Sequence, residues 1–366
     1  MKSNFFLEAL LVATAFTFGS CSSDNNENAP DVGEKIAQVQ LTIKGSAGTR
    51  ATGTQIPAQA DENTVARYTL AIFNSDGSKV VAMKEVAVSA SASPYTTTLS
   101  CPAGSGYTGV VVANAPTKHF AGIQTKNDFF AKTLTLTQTS KELPMSGEMK
   151  KSSSSSFDLA ANATTNIEVE LSRLVARVSL NSLKTAFDAT GQYANATFTV
   201  KGIFLHNAKT VSTPDTGIPL TTVLKTGWAA VTPSTDYLDD LGNTIQDVPV
   251  TSTASLNPYW YYTFPNDNTK STRLVIFGSF DPDGSGTVSA SDVYYPIVVN
   301  LAQTDTSIDN GPKDGTIARN VTYSINATIK SIGVTSPNET IAPGTLSLSV
   351  TVADWALKTT QDVELN

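Results

Sequence analysis

Apolar and polar residues alternate with a period of two through most of this chain, the pattern of strands that bury one face. In Ala37–Lys44, Val39, Leu41 and Ile43 are interleaved with Gln38, Gln40 and Thr42. Tyr68, Leu70 and Ile72 repeat the pattern, and Asn74-Ser75-Asp76-Gly77 then predicts a hairpin into a strand over 79–88. Further strands are predicted over 108–114, 167–171, 197–200, 203–207, 273–280, 293–300 and 321–329. The cleanest alternation comes last: Leu346, Leu348, Val350 and Val352 share one face, and Trp355, Leu357, Val363 and Leu365 continue an apolar series. Helical spacing is confined to 126–136, where 133–137 also alternates, and to Leu183–Ala189. Leu143-Pro144-Met145-Ser146-Gly147 reads as a turn, and no internal repeat of fixed period is evident. The pattern predicts a mainly β, all-β protein with one or two short helices.

The first residues follow another logic. Lys2 precedes an apolar run from Ala9 to Phe18, too short for the ~20 residues that cross a bilayer, and Phe18-Gly19-Ser20-Cys21 places small residues before a cysteine. This is the layout of a lipoprotein signal peptide with Cys21 as the lipidation site. A polar tether follows, then the strand of 37–44, then Gly45-Ser46-Ala47-Gly48-Thr49-Arg50-Ala51-Thr52-Gly53, small residues around one long side chain. Such a loop fits a protease cleft, and a cut between Arg50 and Ala51 would sever the lipid and the first strand from the rest. The expected organisation is signal peptide 1–21, tether and removable first strand 22–50, an N-terminal β domain 51–171 and a C-terminal one 172–366. The boundary falls at Ser172-Arg173-Leu174-Val175-Ala176-Arg177-Val178, where the pattern changes register.

Composition narrows the partners. Charged residues are 16% of the 366, below the roughly 25% of typical soluble domains, and the net charge of −7 argues against nucleic acid. With Cys21 assigned to lipid, Cys101 has no partner for a disulfide and reads as a buried structural thiol. Catalytic signatures are lacking: the two histidines, His119 and His206, fall in different domains, and the paired Asp239 and Asp240 lie in a Gly/Asn-containing loop. One motif suggests a cation. In Asp281–Asp292, oxygen donors at Asp281, Asp283, Ser285 and Asp292 stand at positions 1, 3, 5 and 12, with Gly286 at position 6, the ligand order of a calcium loop. Against this, Asp292 replaces the longer glutamate and the flanks are strands, so an acidic hairpin tip competes with calcium. Trp228 and Tyr259-Trp260-Tyr261-Tyr262 offer aromatics for a glycan platform, or for a core.

These residues together resemble the fimbrillins, shaft subunits of the lipoprotein-derived (type V) fimbriae of Bacteroides-type bacteria. The resemblance rests on the lipobox ending at Cys21, the Gly-Thr-Arg50-Ala51 loop, Val111–Pro116, Leu143–Gly147, Val169–Val178, Tyr262–Asn266, Arg319–Tyr323 and Val352–Trp355, in that order. It implies two transthyretin-like Greek-key β-sandwich domains in tandem and delivery to the outer membrane as a lipoprotein. It also implies removal of the first strand by an arginine-specific protease, and polymerisation of the chain with itself by strand donation. The donor would be the C-terminal series Leu346, Leu348, Val350, Val352, Trp355, Leu357, Val363 and Leu365. Tip and anchor subunits and host surface ligands are the further partners implied; the Asp281 loop lies outside the family pattern. A tip or anchor role, or a glycan-binding lipoprotein, stands as the alternative.

Overall fold

The computed structural model describes residues 35–44, 62–89, 93–136, 141–214, 247–253, 259–266, 270–301, 315–341 and 345–354. The described residues, from Lys35 onward, belong to one compact unit. Its first half holds β1 (Ile36–Lys44), β2 (Arg67–Phe73), β3 (Val80–Ala87), β4 (Tyr95–Pro102) and β5 (Gly104–Ala113). There follow α1 (Lys126–Ala131), β6 (Leu134–Thr135), β7 (Met145–Lys150), β8 (Ser156–Leu159), β9 (Thr164–Glu170) and β10 (Ser172–Arg173). The strands pair in the order β3-β2-β5-β7-β9-β1-β4, with β8 on β5 and β10 on β7. Leu70, Ile72, Val111, Met145, Ile167 and the inward residues of β1 fill the core this sheet wraps around.

The second half holds β11 (Ala176–Thr185), β12 (Thr197–His206), β13 (Val211–Ser212), β14 (Val248–Val250), β15 (Tyr259–Thr263), β16 (Arg273–Asp281), β17 (Ala290–Val298), β18 (Val321–Ile329) and β19 (Leu346–Asp354). Two four-stranded sheets, β15-β11-β18-β19 and β14-β12-β16-β17, enclose a second core with Val178, Phe198, Ile276, Tyr295 and Ile325. The two halves repeat one wiring that no sequence period betrays. β1 is antiparallel to β4 and parallel to β9; β11 is likewise antiparallel to β15 and parallel to β18.

A third cluster joins the halves. The outward residues of β2 and β5, Ala71, Phe73, Val110 and Val112, pack with Phe120 and Phe129 and with Leu174, Val175, Tyr262 and Phe264. Thr125 caps α1 by accepting from the Asp128 N–H, which aims Phe129 inward to stack on Phe120 at 4.1 Å between ring centroids. β6 and β13 pair across the same junction. Both faces of β2 and β5 are therefore covered along Leu70–Phe73 and Val110–Ala113, where the sequence is continuously apolar.

Three expectations need correction. The helical spacing at Leu183–Ala189 is no helix: Leu183–Thr185 ends β11, and a bulge between Leu180 and Ser182 shifts the inward phase and disguises the strand. The helix of 126–136 stops at Ala131, before β6. Met145-Ser146-Gly147, expected within a turn, opens β7.

Gly147 sits where β7 passes the end of β9, and a Cβ there would stand 2.2 Å from the Glu170 carbonyl oxygen. Backbone cannot yield as a flexible side chain can. Gly147→Ala should cost about 1–3 kcal/mol by overpacking, measured as a melting temperature lowered by roughly 2–12 °C.

Candidate functional site

The seat of β1 is built on both sides of the strand. On one side β1 pairs antiparallel with β4 from Ile36↔Pro102 to Ile43↔Tyr95; on the other it pairs parallel with β9 from Gln38↔Thr164 to Lys44↔Glu170. The bonding runs past both ends, since the Lys35 carbonyl accepts from the Ala103 N–H and the Lys44 carbonyl from the Leu171 N–H. Ala37, Val39, Leu41 and Ile43 have no exposed surface. Burying such side chains stabilises by roughly 5–10 kcal/mol in sum, as an upper bound.

The outward face of β1 contributes little. Gln38 and Ser100 exchange a hydrogen bond at 2.9 Å, and Lys44 stands 3.5 Å from Glu168 with both side chains mostly exposed, a pair worth under about 1 kcal/mol. Beyond Lys44 lies a cleft of about 580 Å³ lined by Glu148, Glu168, Glu170, Lys44, Lys150 and Arg319, whose acids and bases balance. No strongly charged ligand is favoured there. Taking β1 away would leave β4 and β9 with unpaired amides and carbonyls and expose an apolar floor. Part of that floor is Cys101, which faces Ala37 across the ladder and is 1% exposed; burial pushes its thiol up to about 11.

Residues 37–173 match the family described as major fimbrial subunit protein (FimA). That stretch, well under half of the 366 residues, is similar to the fimbrillins. No curated protein matches the chain. Among solved structures it is similar to a fimbrilin (FimA) from Porphyromonas gingivalis W83, with 19% identity and TM-score 0.62 over 88% of this chain and 98% of that one. A putative cell adhesion protein from Parabacteroides distasonis ATCC 8503 gives 18% identity and TM-score 0.65 over the same shares. One from Bacteroides eggerthii DSM 20697 gives 21% and 0.59 over 89% and 98%. At these identities the structures speak for the fold, and the all-β sandwich architecture is theirs.

The residues singled out by the fimbrillin resemblance are placed unevenly. Cys21, Arg50, Ala51, Trp355, Leu357, Val363 and Leu365 lie outside the described residues. Leu346, Leu348, Val350 and Val352 lie in β19, which pairs antiparallel with β18 of its own chain from Val321↔Asp354 to Ile329↔Leu346. In the Asp281 loop, the Asp281 carboxylate accepts from the Gly284 N–H at 3.1 Å and the Gly286 N–H at 2.8 Å, and the Asp283 carboxylate accepts from the Ser285 N–H at 3.0 Å. Asp292 is exposed in β17. The loop's own amides thus engage both carboxylates, and among the described residues no three His, Cys, Asp or Glu side chains gather as a metal site.

The remaining chemistry is structural. His206 shares a 2.8 Å hydrogen bond with Asn338, and burial lowers its pKa. Tyr261 and Tyr262 are fully buried, so the aromatic run is core rather than a sugar platform; Trp228, Asp239 and Asp240 lie outside the described residues. What the sequence reading missed is Ala37, the fourth inward residue of β1, which passes unnoticed because alanine carries so weak an apolar signal.

Cys101 gives this site a direct readout. Leu41→Asp would place a carboxylate in the core at a cost of several kcal/mol and drive β1 from its seat. In a Cys21→Ser background, the Cys101 thiol should be nearly inert to a thiol reagent in the parent chain and react at least about tenfold faster in the Leu41→Asp variant.

Proposed function

We propose that this chain is a shaft subunit of a cell-surface fimbria. It reaches the outer membrane as a lipoprotein through Cys21, is cut between Arg50 and Ala51 by an arginine-specific protease, and polymerises when a neighbour's C-terminal strand takes the place of β1. The observation that carries the reading is the two-sided seat of β1, whose occupant connects to the rest of the chain through the segment containing Arg50. While that connection lasts, β1 holds its groove at high effective concentration and outcompetes a neighbour; cleavage removes the advantage. The vacated edges then favour any strand of matching alternation. Tip and anchor subunits would cap and root the polymer, and adhesion to host surfaces is the task it would serve.

The other arginines support Arg50 as the target. Arg67, Arg173 and Arg177 lie in strands, Arg273 opens β16, and Arg319 donates to the carbonyls of Ser146, Ser172 and Arg173. Limited digestion of the folded chain with an arginine-specific protease should give one main product beginning at Ala51. A dominant new N-terminus at any other site would overturn the activation scheme.

The apolar phase of the C-terminal series divides the donor. Leu346, Leu348, Val350 and Val352 occupy even positions, whereas Trp355, Leu357, Val363 and Leu365 occupy odd ones. One straight strand cannot bury both sets on the same face. With the even set in β19, the odd set is the better candidate for a neighbour's groove. Truncation after Asp354 should therefore leave a folded subunit that is cut at Arg50 but forms no ladder of oligomers. Normal polymerisation of the truncated chain would assign donation to another segment.

A further inference from the structure

Twelve residues beyond Arg50 and shortly before β2, Glu62 is completely buried. A carboxylate withdrawn from water demands compensation from charge and hydrogen bonds, and here it receives both. Arg177 Nη1 donates to Oε1 and Oε2 at 3.0 and 3.1 Å, and the Tyr262 hydroxyl donates to Oε1 at 2.7 Å. Arg173 Nε donates to the Glu62 carbonyl at 3.2 Å, and its Nη2 donates to the Asn63 side chain. Arg173 and Tyr262 have no exposed surface and Arg177 is 5% exposed. Burial lowers the Arg173 guanidinium to about 10 against the opposing pull of Glu62. Burial first, and then the same carboxylate, hold the Tyr262 phenol well above its ordinary range, so it stays neutral and donates.

We propose that Arg173, Arg177 and Tyr262 form a carboxylate-binding pocket, filled in cis by Glu62, that pins the chain just downstream of the processing loop to the junction between the two halves. Arg177 on β11 and Tyr262 on β15 hold the carboxylate while Arg173 on β10 holds the Glu62 backbone carbonyl, so this one residue ties the root of β2 to strands of both halves. Arg319 reinforces the same junction from the other side: it belongs to the second half, yet its guanidinium donates to the carbonyls of Ser172 and Arg173 on β10 and of Ser146 on β7. Loss of everything up to Arg50 would then leave residues from Glu62 onward where they stand. The pocket depends on the Arg50 reading only for this last consequence.

The test uses the full chain. Glu62→Ala should lower the melting temperature on the order of 10 °C, because two buried guanidinium groups lose their counter-charge. Added formate or acetate should recover part of that loss, and chloride at equal ionic strength should not. The same variant should open Arg67 to trypsin and yield a second N-terminus at Tyr68 that the parent lacks. If Glu62→Ala does not fold, Glu62→Gln keeps the shape while removing the charge, and should melt lower than the parent with no rescue by formate. A Glu62→Gln chain melting like its parent, or a Glu62→Ala chain that formate restores no better than chloride, would overturn the pocket. Failure of the Arg50 reading shows separately, as absence of the Ala51 product from the parent.

Discussion

Everything distinctive about this protein follows from one strand held on two sides. β1 lies inside the sheet with ladders to β4 and β9, and its four inward residues complete the first core. An interior strand cannot leave without exposing two sets of backbone groups as well as apolar surface, so it binds far more tightly than an edge strand of the same sequence. Yet a nine-residue strand at one end of the described chain is also the easiest interior piece to detach, because no other strand need be threaded to free it.

Such an arrangement works only if the remainder keeps its shape, and the junction between the halves provides for that. The outer faces of β2 and β5 are covered by α1 and by Leu174, Val175, Tyr262 and Phe264, while Glu62 and Arg319 add charged hydrogen bonds that cross from one half to the other. Apolar packing gives this junction strength. The buried carboxylate gives it geometry, because an ion pair removed from water tolerates few arrangements. The sheet that holds the β1 seat is thus braced, through β2, β5, β7 and β10, by the half that carries β18 and β19.

Much of this architecture was legible in the alternation of residues, and the losses have physical causes. Val39, Leu41 and Ile43 announce β1 because each alternate side chain is large and apolar and the partner faces are polar. The second half of β11 was lost because one bulge at Leu180–Ser182 moves its inward residues out of phase and leaves Leu183 and Phe187 at helical spacing. Glu62 could not be foreseen at all: its hydrogen-bond partners stand 111 to 200 positions away, and the acidic pair Asp61-Glu62 in a polar stretch looks solvated. The only hint was Arg173-Leu174-Val175-Ala176-Arg177, two arginines embedded in residues that belong in a core, which must find counter-charges somewhere.

The mixed orientation of β1, parallel to β9 and antiparallel to β4, carries a consequence for symmetry. Parallel and antiparallel ladders place their hydrogen bonds differently, so a strand laid into this seat backwards would mismatch both neighbours at once. The seat therefore has a direction. A contact between a directed groove on one molecule and a strand on another has no two-fold axis relating its sides. Repeated without closure, such a contact builds a filament whose two ends differ chemically, an unfilled groove at one and an unused strand at the other, and growth at each end must then call for a different kind of partner.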